Sequence, residues 1–194
     1  MRLCTNIPSI LYGCALLLAA ACTPSEQQQP KGSAIDSLPV LRTVGLFSGI
    51  DQNGNEFSSE SLKGTVWIGS FFFTSCSSIC PALNRVQMDL QREFAKSVRF
   101  VSISSDPETD TPPVLKEYAA EYGARNGVWW MLAMPHQSML SVASTDLGLI
   151  APTEPDVHST RFVLVDTAMR VRGYYDSADT AQVALLRAIL REVR

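Results

Sequence analysis

Residues 71–87 read FFFTSCSSICPALNRVQ. An apolar run leads into Cys76 and Cys80, three residues separate the two, and Pro81 follows directly. The run begins earlier: residues 65–73, TVWIGSFFF, are rich in aromatic and β-branched side chains and predict a strand covered on both faces. After the cysteines, Leu83, Val86, Leu90 and Phe94 recur at helical spacing. Proline suits the first position of a helix, so Pro81 is expected there, with Cys80 as the cap residue. Both sulfurs would then lie near free N–H groups and the positive end of the helix dipole, which lowers a thiol pKa.

Strand and helix alternate outward from this stretch. Residues 44–47 read as a strand, and Asn53-Gly54 marks a hairpin turn within 51–55. Residues 98–102 form a second central strand. Asp110 or Thr111 caps a helix that opens on Pro112-Pro113. Residues 128–134 are a third strand and 138–147 a short helix. Residues 161–166 and 171–175 close as a hairpin, and 180–193 form a last helix. Right-handed crossovers place strands 65–73 and 98–102 side by side and parallel. The expected class is α/β: a thioredoxin-like fold with a central mixed β-sheet flanked by helices and an N-terminal β-hairpin extension. The cysteines stand at the carboxyl end of a central strand, where α/β folds place their sites.

The chain has 194 residues, of which 46% are hydrophobic, and a formal net charge of −3. One ordinary core is within reach, and no clustered Lys and Arg offers a nucleic-acid surface. Residues 1–21 read as a leader: Arg2 precedes an apolar run, Ile10 to Ala21, too short to span a bilayer comfortably. Leu18-Ala19-Ala20-Ala21-Cys22 resembles a bacterial lipobox, which makes Cys22 the expected lipidation site and mature N-terminus. Polar residues 22–39 follow as a flexible tether, and 40–194 as the folded domain. The expected location is the bacterial cell envelope: a monomer, lipid-anchored to a membrane, facing the periplasm or extracytoplasmic space.

Of the five cysteines, only Cys76 and Cys80 lie beyond the leader and the lipobox. A bridge over so short a loop gains little entropy, so the pair is chemical rather than structural. A third spacer residue widens the loop enough for two sulfurs to hold one ion, while a disulfide remains possible. Thiolates select copper(I) or zinc, and imidazole suits both. The chain has two histidines. His136, in MPHQS, reads as a solvated side chain. His158, just before strand 161–166, stands where thioredoxin-like disulfide exchangers commonly carry a cis-proline, a position that faces the cysteines. Two sulfurs and one nitrogen favour copper, because structural zinc usually takes four protein ligands.

The chain resembles the Sco/SenC family of copper metallochaperones over about residues 40–194. The resemblance rests on Phe72-Phe73-Thr74-Ser75-Cys76 and Cys80-Pro81; on Ser104-Ser105-Asp106-Pro107 with Asp110-Thr111-Pro112; on His158-Ser159; and on Val165-Asp166 with Arg172-Gly173-Tyr174-Tyr175. It implies copper ligation, as Cu(I) and also Cu(II), by Cys76, Cys80 and His158. It also implies a partner, the copper-receiving subunit of cytochrome c oxidase or another copper protein. Two positions depart from the family pattern: Ser77 stands where proline is common, and Val157 separates Asp156 from His158. The alternative is a thiol–disulfide oxidoreductase, in which Cys76 and Cys80 are the redox-active catalytic pair, Cys76 as nucleophile and Cys80 as resolving thiol. A peroxidase is disfavoured, because Phe73 occupies the place of the threonine that activates a peroxidatic thiol. Asp106 and Asp110 read as a turn and a helix cap. Trp129-Trp130 reads as core plus edge rather than a docking platform.

Overall fold

Both side-chain sets of residues 66–72 are apolar or small, so this strand is stable only with cover on each face. A computed structural model of the chain, which describes residues 34–149 and 159–193, provides it. In chain order the strands are β1 (Arg42–Thr43), β2 (Ser48–Asp51), β3 (Glu56–Ser58), β4 (Val66–Phe72), β5 (Val98–Ser104), β6 (Trp129–Ala133), β7 (Arg161–Val165) and β8 (Arg170–Asp176). The helices are α1 (Cys80–Phe94), α2 (Pro112–Glu121), α3 (His136–Ser141) and α4 (Thr180–Leu190). The strands make one sheet in the order β1-β8-β7-β4-β5-β6-β2-β3. β4, β5 and β6 are parallel, and the remaining pairs are antiparallel. The thioredoxin-like α/β fold with its extra hairpin, β2–β3, is the one expected.

All of β4 is buried. Val66, Ile68 and Phe72 enter a core that includes Leu83 and Leu90 of α1, Leu115 of α2 and Leu186 of α4. Trp67 and Phe71 enter the core on the other face, with Met139 of α3, Val142 and Leu147. Gly54, at φ +80°, makes the β2–β3 turn in the left-handed region that glycine tolerates.

Several boundaries differ from the sequence reading. Residues 44–47 are not a strand. The chain there crosses between β1 and β2, which lie far apart in the sheet order. Its polar backbone finds local partners: Val44 N–H donates to the Met169 carbonyl at 2.8 Å, and Gly45 N–H to Asp146 Oδ1 at 2.9 Å. Val44 and Phe47 are buried all the same, which is what made the segment look like a strand. The cap of α1 is Ile79, so Cys80 is the first helical residue and Pro81 the second. Asp110 caps nothing; Thr111 precedes α2 and makes no side-chain cap bond. α3 continues into a single π-turn at Val142–Asp146. Ile35 is buried in the core, so the end of the stretch read as tether packs with the folded domain.

Candidate metal and thiol centre

The carboxyl end of β4 delivers the chain into the loop that carries Cys76. The Phe72 carbonyl accepts the Ser105 N–H at 2.8 Å, and the Phe73 carbonyl accepts the Cys76 N–H at 3.2 Å. Asp110, fully buried, holds the root of the loop. Its carboxylate accepts the Thr74 N–H at 3.1 Å, the Thr74 hydroxyl and the Ser104 hydroxyl. The aspartate read as a helix cap therefore joins the cysteine loop to the β5–α2 connection. A buried carboxylate with three donors is satisfied, whereas one without them would be costly.

Both cysteines are free thiols, and both are buried, Cys76 at 7% exposure and Cys80 at 3%. As the first residue of α1, Cys80 has a backbone N–H with no helical partner, and that group donates to Cys76 Sγ at 3.5 Å. The Ser78 hydroxyl lies 3.8 Å from the same sulfur. Burial pushes the Cys76 thiol up, but hydrogen bonds from the Cys80 thiol, the Cys80 and Ser78 backbones and the Ser78 hydroxyl outweigh it and lower it to about 7. Burial pushes Cys80 up to about 12, helped by its hydrogen bond to Cys76 and by the negative charges of Cys76 and Asp110. The expectation that both thiols are lowered thus holds for one. The pair is a Cys76 thiolate near neutrality beside a protonated Cys80.

Beneath Cys80, one turn along α1, lies Asn84, also fully buried. Its Nδ2 donates to the Tyr118 hydroxyl at 3.0 Å, while its Oδ1 has no hydrogen-bond partner among the described residues. Tyr118 stacks on Phe72 with centroids 5.3 Å apart. Sequence reasoning passed over Asn84 and Tyr118; the available signal was a polar residue four after Cys80.

His158, Asp156 and Cys22 lie outside the described residues. Among those described, no group of three His, Cys, Asp or Glu side chains is placed to hold a metal. His136 is exposed and opens α3. It lines a groove of about 930 Å³ with Phe57, Glu108 and Met134, and neither cysteine lines that groove. Trp129 is core, its Nε1 donating to Ser102 Oγ, and Trp130 is half-buried against Phe57.

Residues 36–193 match the SCO1/SenC family model. Similar solved structures include three of the Sco family. BsSco, in which a disulfide switch was identified, is a member of the Sco family of cytochrome c oxidase assembly proteins; it is 29% identical with a TM-score of 0.68, covering 80% of this chain and 96% of that one. Arabidopsis thaliana ScoI with copper bound is 27% identical with a TM-score of 0.59, covering 77% and 97%. A SCO1/SenC family lipoprotein from Bacillus anthracis is 25% identical with a TM-score of 0.66, covering 77% and 94%.

Proposed function

Because this chain belongs to the SCO1/SenC family, we propose that it is an extracytoplasmic copper carrier that binds its cargo through Cys76, Cys80 and His158. It then passes the metal to the dinuclear copper centre of cytochrome c oxidase. The observation that carries this reading is the buried sulfur pair at the start of α1, with one sulfur ionised near neutral pH. A thiolate is the soft ligand that copper(I) favours. The strand register adds support for His158. β7 runs antiparallel to β4 with Gly69 opposite Val163, so counting outward sets Arg161 level with Phe71, just before the cysteine loop. His158 precedes Arg161 by three residues. In the same reading residues 1–21 are a lipoprotein leader, Cys22 carries the lipid, and the chain from there to the folded body is the tether. The B. anthracis lipoprotein supports it. No described helix is long and apolar enough to cross a membrane.

Metal analysis and X-ray absorption on the reduced domain test the site. Expected are about one copper per chain and a shell of two sulfurs with one nitrogen. Cys76→Ser or Cys80→Ser abolishes binding and His158→Ala weakens it. Unchanged affinity in His158→Ala would refute the three-ligand site.

The unequal thiols and the BsSco disulfide switch favour one second reading, reduction of an acceptor's disulfide. The Cys76 thiolate attacks one acceptor sulfur, breaking the acceptor S–S bond and forming a mixed disulfide. Cys80, giving its proton to the departing acceptor thiolate, then attacks Cys76 and releases the second acceptor thiolate. The acceptor gains two electrons, and the chain is left with a Cys76–Cys80 disulfide. Turnover of a disulfide substrate by metal-free protein, unaffected by His158→Ala, would favour this reading.

A further inference from the structure

The cysteine loop shares its end of the sheet with a groove. β4, β5 and β6 are parallel, with Phe72 level with Ser104 and Ile103 level with Leu132, so the three strands end side by side. The connection that follows β5 is bound to the cysteine loop: Ser105 N–H donates to the Phe72 carbonyl at 2.8 Å, and the Asp110 carboxylate accepts the Thr74 N–H at 3.1 Å. That same connection lines the groove of about 930 Å³ with Pro107, Glu108 and Pro112, and the connection after β6 lines it with Met134 and Pro135. Proline has a fixed φ and no backbone N–H, so these linings are stiff and poor in donors.

The β2–β3 hairpin supplies the rest. Side chains alternate between the two faces of a strand. Phe57, opposite Gly49, points into the core beside Phe47. The alternate set, Ser48 and Ile50 of β2 with Glu56 and Ser58 of β3, faces the other way and lines the groove. All four are exposed, so the hairpin carries the sheet past the cover of the helices. Glu56 and Glu108 are the charged residues of the lining, and neither makes an ion pair among the described residues. No Lys or Arg lines the groove. It therefore joins apolar surface to uncompensated negative charge and opens beside the thiols.

We propose that this groove seats an extended segment of the acceptor protein, with apolar side chains against Ile50 and Met134 and Lys or Arg beside Glu56 and Glu108. The proposal rests on the reading of Cys76 and Cys80 as the pair that meets the acceptor's cysteines. Four strand spacings, from β4 through β5, β6 and β2 to β3, separate the cysteine strand from the far side of the groove. That is about 19 Å, which about six extended residues cover. The basic and apolar segment therefore lies within about six residues of a receiving cysteine. A second copy of this chain is a poor occupant, because a two-fold pairing of two such grooves sets acid against acid.

Two dye-labelled peptides test it against the full chain. Each joins a pair of cysteines to a tail of about six residues, one of Val with Lys and the other of Val with Glu. Binding is read by fluorescence anisotropy at low salt, with the peptide cysteines replaced by serine so that thiol chemistry plays no part. The Lys tail is expected to bind about tenfold more tightly than the Glu tail. The double variant Glu56→Gln/Glu108→Gln, two exposed changes that the fold tolerates, is expected to lose most of that preference. Equal binding of the two tails, or an unchanged preference in the double variant, would overturn the docking site. Reaction is read separately with the cysteines restored, as reduction of the peptide disulfide by metal-free protein or transfer of copper(I) from loaded protein to the peptide dithiol. The Lys tail is expected to quicken one or both. Binding of the Lys tail without either reaction would support the groove and refute the role read for the thiols. Reaction at equal rates with both tails would remove the groove and leave that role standing. A dimer of the full chain that the Lys-tailed peptide dissolves would assign the groove to a second copy and overturn the acceptor.

Discussion

Two cysteines separated by three residues look alike in sequence, yet their surroundings make them chemically opposite. Cys76 collects donors, from the Cys80 N–H and the Ser78 hydroxyl, whereas Cys80 sits deeper with the charges of Cys76 and Asp110 beside it. Only the thiolate reacts with an alkylating agent. The rate of iodoacetamide modification of reduced protein is therefore expected to rise with pH about a midpoint near 7 and to mark Cys76, with Cys80 silent up to far higher pH. Peptide mapping at several pH values checks this, and modification of Cys80 first would contradict it. The spacing did not reveal the asymmetry, because the groups that create it are set by the loop's path and by Asp110, 34 positions beyond Cys76.

Among the elements, α1 departs most from its pattern. Its apolar stripe of Leu83, Val86, Leu90 and Phe94 was legible, but Asn84, Gln87 and Gln91 are buried as well. Each has found a task. Gln91 Nε2 donates to the Gly123 carbonyl, and its Oε1 accepts the Arg125 N–H. Gln87 closes a ring with Ser70 of β4 and Ser102 of β5. Ser102 Oγ accepts from Gln87 Nε2 at 2.8 Å and from Trp129 Nε1 at 2.9 Å, which fills its lone pairs. Its proton must then go to Ser70 Oγ, 2.9 Å away, and Ser70 donates to Gln87 Oε1 at 2.9 Å. Ser102→Ala would strand two buried N–H groups, each costing about 1–3 kcal/mol. A loss of roughly 2–5 kcal/mol in urea unfolding is expected. A second change, Gln87→Leu, should cost less in that background than alone, since the ring is already broken. A loss under about 0.5 kcal/mol for Ser102→Ala would show the ring carries little.

For the molecule as a whole, the free thiols stand at one end of the sheet and a buried ion pair, Asp166 with Arg172, at the other. Asp166 is buried, which raises its pKa, but the N–H groups of Arg170 and Ala168 and the guanidinium groups of Arg172 and Arg170 overcome that and lower it. A carboxyl depressed in the folded state contributes stability that is present above its unfolded value near 3.9 and lost as pH falls through the folded value. Unfolding midpoints in urea should thus decline below about pH 4. Asp166→Asn should cost about 3–5 kcal/mol at neutral pH by leaving Arg172 unpaired, and its stability should depend less on pH in that acid range. An acid limb identical to that of the parent would show that other carboxyls govern it.

The sequence by itself determined what is local. The two-sided apolar run of β4, the helical stripe of α1, the Asn-Gly turn, the closing hairpin and the two sulfurs at a strand–helix junction all follow from periodicity and neighbouring residues. It misjudged residues 44–47, because a segment that crosses a sheet face buries side chains as a strand does while its backbone bonds elsewhere. Tertiary structure alone decided which polar side chains meet. Thr74 with Asp110, Ser70 with Ser102, and Arg172 with Leu38 are 36, 32 and 134 positions apart. A hydrogen bond depends on distance and angle in space, and residue spacing encodes neither until the chain has closed on itself.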